Sequence, residues 1–210
     1  MKKKVRVTDM LQFTSNNAAN ESIYHVFRQN GYIVATDGHI LLRFPVDAVA
    51  GGDDIIEQDT PCVDRVIPTH FDKPKQLRIT AIEAALEKAP KVDAQKECPE
   101  CGGGGTVMWT YEGNEDSYEQ EFRCPCCHGK GYVPTEGELM PDPKQVFTML
   151  DIKYHTKDMQ RLIRAINMAG VKQAKILNHE YYRLYIEAGS AQILIAGVEE
   201  EVWGEVIKVI

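Results

Sequence analysis

The sequence predicts an α+β fold: antiparallel β-meanders packed on one or two helices, with an inserted metal-binding β-hairpin lobe. Three observations predict it. Asn30-Gly31 and Asp37-Gly38 each join short apolar or alternating runs, "SIYHVFRQ", "YIVAT" and "HILLRF". Such dipeptides suit two-residue hairpin turns, because both residues accept positive φ. The stretch "TKDMQRLIRAINMAG" places Met159, Leu162, Ile163 and Ile166 on one helical face. Finally, Cys98, Cys101, Cys124 and Cys127 form two Cys-x-x-Cys pairs around a stretch with hairpin character.

The elements follow in chain order. Residues 4–8, "KVRVT", alternate as a strand, and "TDMLQF" begins a short helix capped by Thr8 or Asp9. The three runs around Asn30-Gly31 and Asp37-Gly38 form a meander. Residues 46–61 are an acidic, Gly-containing connection, and "RVIPTHF" is a short strand stopped by Pro68. In "RITAIEAALEK", Ile79, Ile82 and Leu86 share a helix face that ends before Pro90. Residues 133–144 form a linker by their Pro, Gly and acidic content. "VFTMLDIKY" is extended, and the helix after it is capped by Thr156 and closed by Gly170. Three strands, "AKILNH", "YRLYIEA" and "AQILIAGV", finish the fold. Placing Tyr32 on Tyr185 aligns Ile33 with Ile186, Ala35 with Ala188, Ile40 with Ile193 and Leu41 with Leu194. The alignment suggests two half-domains closing one sheet system.

Composition sets outer bounds. At 210 residues, 43% hydrophobic and 26% charged, the chain is ordinary for a globular protein of one domain with an insertion. Its longest strongly apolar run, Ile193 to Val198, is far short of a membrane span of roughly 20 residues. No apolar segment follows Met1-Lys2-Lys3-Lys4, so a cytoplasmic location is expected. The net charge of −7 opposes a globally basic nucleic-acid binder, while leaving room for a local basic face.

Without an export signal, paired cysteines favour metal over disulfides. Cys98, Cys101, Cys124 and Cys127 supply the four thiolates of a closed, structural tetrahedral zinc site. A redox dithiol and a disulfide pair are the competing readings. Cys126 and His128 are surplus ligands, either of which offers a substitute for Cys127, and Cys62 reads as an isolated, partly buried thiol. "TVMWTYEG" and "SYEQEFRC", flanking "NED", form the hairpin that brings the pairs together. Both halves fit Cys-x-x-Cys-x-Gly-x-Gly, which resembles the zinc repeat of DnaJ-type chaperones. Only residues 98–131 carry it, enough for one ion. No His-Pro-Asp signature is present, so co-chaperone activity is not implied.

"VATDGH", Val34 to His39, resembles a signature of the bacterial DNA sliding clamp, the β subunit of the replicative polymerase, at the same strand–turn–strand position. "YHTKDMQRLIRAI" and the strands ending in "ILIAGV" resemble the last half-domain of that clamp. The resemblance covers roughly residues 20–46 and 146–198, and Ile40 stands where the clamp usually carries arginine. It implies a clamp-like domain from residues 1–61 and 145–210. Residues 62–144 are then an insertion holding the helix near 78–88 and the zinc hairpin near 95–132.

Clamps line their channel with basic helix faces. Here Lys157, Arg161 and Arg164 project opposite the apolar stripe, as phosphate contacts or as a plain solvated face. The resemblance implies a non-enzymatic binding module with a structural zinc site, docking to the DNA backbone or to a replication-type protein. The other reading is a zinc-ribbon protein-interaction module whose clamp-like sheet is only scaffold. One such domain cannot encircle a duplex, so a ring requires several copies. Asp37 and His39 read as a hairpin corner rather than a catalytic pair, with no serine or cysteine nucleophile near them in sequence. On that view Asp37→Asn changes stability little and Asp37→Val destabilises the turn.

Overall fold

The structure, a computed structural model, describes residues 4–17, 19–59, 61–112, 117–199 and 205–210. It divides into two compact units, Met1–Ala89 with Pro143–Ile210, and Pro90–Asp142.

The larger unit begins with β1 (Val5–Arg6), α1 (Val7–Met10) and a 3-10 turn at Leu11–Phe13. A meander of β2 (Phe27–Gln29), β3 (Tyr32–Thr36) and β4 (Ile40–Pro45) follows, and β5 (Val49–Ala50) returns to pair with β1 in parallel. After β6 (Lys75–Arg78) and α2 (Ile79–Lys88), the chain passes through the smaller unit as β7 (Lys91–Glu97), β8 (Thr106–Glu112), β9 (Ser117–Arg123) and β10 (Tyr132–Pro141). It re-enters the larger unit as β11 (Val146–Met149), β12 (Ile152–His155) and α3 (Thr156–Met168). The second meander is β13 (Gln173–Glu180), β14 (Arg183–Ala188) and β15 (Ala191–Ala196), and β16 (Ile207–Lys208) pairs with β11 in parallel.

The meanders join edge to edge. One antiparallel seven-stranded sheet runs in the order β2-β3-β4-β15-β14-β13-β6. Its central register carries the internal repeat. Leu41 faces Leu194, its own counterpart under the alignment, and Ile40 faces Ile195 as Leu42 faces Ile193. A pseudo-two-fold axis therefore passes through the Leu41–Leu194 pair. Both halves also close alike, with the entry strand pairing in parallel with a strand after the meander. The fold class expected from the sequence is the one observed.

The apolar alternation of the strands gives the sheet two buried faces. Ile33, Leu42, Ile186 and Ile193 pack with Met159, Leu162 and Ile166 of α3 and with Ile82 of α2 in the main core. On the other face, Phe27, Val34, Leu41, Tyr185 and Leu194 lie under Val63 and Ile67. Among the described residues, no helix is long and apolar enough to cross a membrane.

Several local expectations shift. The helix assigned to the insertion, α2, belongs to the larger unit, where its apolar face meets α3 and where β6 extends the sheet beside β13. The chain leaves the larger unit after Ala89, not near residue 62. "SIYHVFRQ" is a strand only at Phe27–Gln29, because Glu21–Ile23 form a 3-10 turn, and "RVIPTHF" holds no strand. Neither Thr8 nor Asp9 caps α1, which starts at Val7. The α3 cap is His155, whose N–H donates to Asp158 Oδ2 at 3.0 Å, so Thr156 is already helical. Gly170 closes that helix with φ +71°.

Candidate metal centre and binding surfaces

The smaller unit has a stem of β7 and β10, and the chain enters and leaves it side by side, with Asp142 N donating to Pro90 O at 2.8 Å. Beyond the stem β8 and β9 pair antiparallel over their full length, from Thr106↔Arg123 to Glu112↔Ser117. The turn expected at "NED" lies outside the described residues.

The hairpin brings the two cysteine pairs together. The Sγ atoms of Cys98, Cys101, Cys124 and Cys127 all lie within 4.8 Å of one another, with Cys98–Cys124 and Cys101–Cys127 each at 3.8 Å. Four sulfurs about 2.3 Å from a central ion stand about 3.8 Å apart on tetrahedral geometry, whereas a disulfide needs about 2.05 Å. The thiols are free, and the cluster fits one metal ion.

The two loops support each other reciprocally. Cys98 N donates to Gly131 O and Cys124 N to Gly105 O, both at 2.8 Å. Gly105 N donates to Cys101 Sγ and Gly131 N to Cys127 Sγ, both at 3.2 Å. At these two glycines φ is +79°, and a Cβ would strike the carbonyl of Gly129 or Gly103 in the opposite loop. The spacing Cys-x-x-Cys-x-Gly-x-Gly thus has a steric cause.

Electrostatics add a requirement. Burial pushes the Cys98 thiol up, yet the N–H groups of Cys101 and Glu100 outweigh it and hold it at about 6. For Cys124 the N–H of Cys127 favours the thiolate, but burial and the neighbouring sulfurs push it to about 11. Crowded sulfurs cannot all ionise without a cation among them. Cys126 is exposed, His128 sits at φ +54°, and neither belongs to the four-sulfur cluster. Cys62 is exposed, not partly buried, because its segment covers the second face of the sheet with Val63 turned inward.

In the larger unit the Asp37 corner is a turn, shifted by one residue. Thr36 pairs with Leu41, Asp37 N reaches Ile40 O, and only Gly38 has positive φ, at +92°. Gly38-His39 is therefore the two-residue loop. Asp37 Oδ1 accepts the N–H groups of His39 at 2.9 Å and Ile40 at 3.0 Å, while Oδ2 accepts Arg161 Nη1 at 2.6 Å. Burial works to raise the Asp37 pKa, but the Ile40 N–H, the Arg161 guanidinium and the His39 N–H together hold the carboxyl below its ordinary range.

That pair removes Arg161 from the expected basic stripe. Its side chain is 9% exposed and its guanidinium lies 5.8 Å from the Phe13 ring. Lys157 and Arg164 remain exposed, on the rim of a polar cleft of about 490 Å3 shared with Gln12, Thr14, Ser15 and Gln160.

A second cleft, of about 700 Å3, opens where the hexapeptide turn meets the segment covering the sheet. Thr36, Gly38, His39, Ile40 and Leu41 form one wall, Cys62, Val63 and Val66 another, and Leu194, Ala196 and Arg183 the third. Sequence reading missed it, since Val63 and Val66 belong to a stretch without periodicity. A nearby polar network was missed too: buried Arg43 donates to Asp64 at 2.7 Å and Gln192 at 2.6 Å and lies over Tyr32. The lone cation in "HILLRF" was its one sequence signal.

No family model matches the chain, and no curated protein does. Among solved structures it is similar to a DNA polymerase sliding clamp from Pseudomonas aeruginosa, at 12% identity and TM-score 0.45 over 92% of this chain and 64% of that one. It is also similar to a DNA polymerase III β chain from Streptococcus pneumoniae TIGR4, at 14% identity and TM-score 0.47 over 92% and 62%. The Helicobacter pylori β clamp bound to a DNA ligase peptide gives 8% identity and TM-score 0.46 over 91% and 62%. The chain spans less than two thirds of the length of these clamps.

Proposed function

We propose that this protein is a non-enzymatic, clamp-like binding module with one structural zinc ion, which docks a replication-type protein partner at the cleft beside Thr36–Leu41. The cleft carries the reading. Its walls are mostly apolar, and its charged or chargeable groups, apart from the Cys62 thiol, are Arg183 and His39. An extended peptide with apolar side chains and an acidic group matches that lining. Catalysis by Asp37 is disfavoured, since both its oxygens are occupied and its pKa is depressed.

A labelled peptide of the DNA ligase type bound by the Helicobacter pylori clamp is a direct probe. Val66, 37% exposed on the cleft wall, is the position to change. Val66→Glu is expected to weaken peptide binding by about tenfold or more through charge repulsion and lost apolar contact, with melting unchanged. Wild-type affinity in that variant, or no peptide binding by the wild type, would remove the cleft from the proposal.

Zinc suits four thiolates in a closed tetrahedron better than hard cations do. The four cysteines would hold the ion, which supplies structure rather than chemistry because no coordination position is left for substrate.

DNA contact would rest on Lys157 and Arg164, without Arg161. Charge does not oppose it at this unit. Of the 31 acidic and 24 basic residues, 11 and 4 lie in residues 90–142, leaving 20 of each elsewhere. Two phosphate contacts give a log–log salt slope of roughly −1.8 on duplex DNA, against roughly −2.7 for three. A Lys157→Ala, Arg164→Ala variant is expected to lose that salt-dependent binding, measured at low salt with oligomeric state checked. Binding that persists in the variant would place any DNA contact elsewhere.

A further inference from the structure

The β8–β9 hairpin has two unlike faces. Residues opposite one another in the register share a face, so Val107, Trp109 and Tyr111 lie with Phe122, Gln120 and Tyr118. Val107 packs against the cysteine cluster. Beyond it the face is aromatic and open: Trp109 is 59% exposed, Tyr111 71%, Tyr118 63% and Phe122 43%. Trp109 and Phe122 touch, with ring centroids 5.5 Å apart. The opposite face carries Glu112, Glu119 and Glu121.

Four exposed aromatics on seven-residue strands exceed what scattered surface hydrophobics explain. A two-stranded hairpin is marginal by itself, and burying this face would stabilise it. Charge selects the occupant. Residues 90–142 hold eleven acidic against four basic side chains, so the chain's whole net charge of −7 resides there. Single-stranded nucleic acid stacks on aromatic platforms set in basic grooves, and this surround is acidic. Apposing two copies of the lobe would bring like charges together.

We propose that the aromatic face of the β8–β9 hairpin is a docking surface for a basic polypeptide segment that inserts apolar side chains between Trp109, Tyr111, Tyr118 and Phe122. It shares no residue with the cleft beside Thr36–Leu41 and does not depend on that site. The aromatics supply the contact energy, as such side chains do at interface hot spots. The glutamates on the reverse face raise the encounter rate and reject acidic partners.

The test uses the full-length, zinc-loaded chain and fluorescence anisotropy of labelled probes. These are a short synthetic peptide alternating leucine with lysine, the same peptide with glutamate for lysine, oligolysine, and single-stranded oligothymidylate. The leucine–lysine peptide is expected to bind at least about tenfold more tightly than oligolysine or oligothymidylate, and more tightly than the glutamate peptide in the Val66→Glu background, where the cleft is closed to acidic peptides. Trp109→Ser with Tyr118→Ser is expected to lose about tenfold or more of that affinity at unchanged zinc content. If that pair sheds zinc, Tyr111→Ser, at the end of β8 remote from the metal, replaces it with a several-fold loss expected.

Any one of the following results would overturn the proposal. These are absence of leucine–lysine binding, full affinity in the hairpin variants, preference for oligothymidylate or, in the Val66→Glu background, for the glutamate peptide, and sedimentation showing that the face joins two copies. Loss of binding in Val66→Glu rather than in the hairpin variants would place the peptide in the cleft and overturn it equally.

Discussion

Cys101→Ser is expected to release the metal and unfold residues 90–142 while the larger unit keeps its melting transition. The reason is the near absence of any other core there. Among the described residues of this stretch, the buried ones are Cys98, Gly105, Cys124, Cys127 and Gly131. No leucine, isoleucine or phenylalanine joins them, so the area term that stabilises ordinary domains is nearly missing. The stem pairs β7 with β10 through a register shift between Pro134 and Leu139, and the hairpin strands are exposed on both faces. On that expectation metal binding would supply the folding energy of the unit, ~10–16 kcal/mol on the scale of structural zinc peptides. Serine cannot replace a thiolate, and its loss also strands the Gly105 N–H that now donates to Cys101 Sγ. The larger unit rests on its own two apolar clusters, which contain none of these cysteines. Elemental analysis of wild type should give one zinc per chain. The variant should lose it and become protease-sensitive between residues 90 and 142. Full zinc content in Cys101→Ser would take that residue out of the shell, and joint melting of both units would show that residues 90–142 are no independent lobe.

What was legible in the sequence had local causes. Asn30-Gly31 has positive φ at both positions, 49° and 79°, as the dipeptide demands. The cysteine spacing reads directly because each ligand loop is built within eight residues. Two other turns carry no such mark. Leu150-Asp151 and Tyr181-Tyr182 also have positive φ at both positions, yet contain no glycine. Their strands impose the turn, since Met149 pairs with Ile152 and Glu180 with Arg183. For that reason "VFTMLDIKY" reads as one extended run and folds as two strands. Long-range placement was hidden more deeply. Nothing in "RITAIEAALEK" tells whether its apolar face meets α3 or an inserted lobe. Arg161 looked like part of an exposed stripe because helix periodicity places it opposite Met159. Only the fold shows that the Asp37 turn lies against that side of the helix.

The Asp37–Arg161 contact reverses one expectation from turn chemistry alone, that asparagine serves in place of Asp37. Asparagine keeps an oxygen for the His39 and Ile40 N–H groups, so the turn itself survives. It removes the charge opposite a guanidinium that is 9% exposed. Breaking a fully buried pair costs about 3–5 kcal/mol, and Asp37 keeps 19% exposure, so roughly 2–3 kcal/mol is expected for Asp37→Asn. Asp37→Val loses the turn bonds as well and should cost roughly 1–2 kcal/mol more. Arg161→Met keeps bulk against Phe13 and leaves Asp37 with its two N–H donors, so a smaller loss of about 1–2 kcal/mol is expected. The Asp37→Asn, Arg161→Met double variant should lose less than the sum, because the second change removes the stranded cation. Acid provides an independent readout. The Asp37 pKa is depressed in the folded chain, so its contribution is fully present above the unfolded value of about 3.9 and is lost as pH falls through the folded value. Wild type should therefore surrender stability in acid faster than Asp37→Asn does, and the two melting curves should converge towards low pH. Equal stability of wild type and Asp37→Asn at neutral pH, with no such convergence, would show that the ion pair contributes nothing and that the carboxylate serves the turn alone.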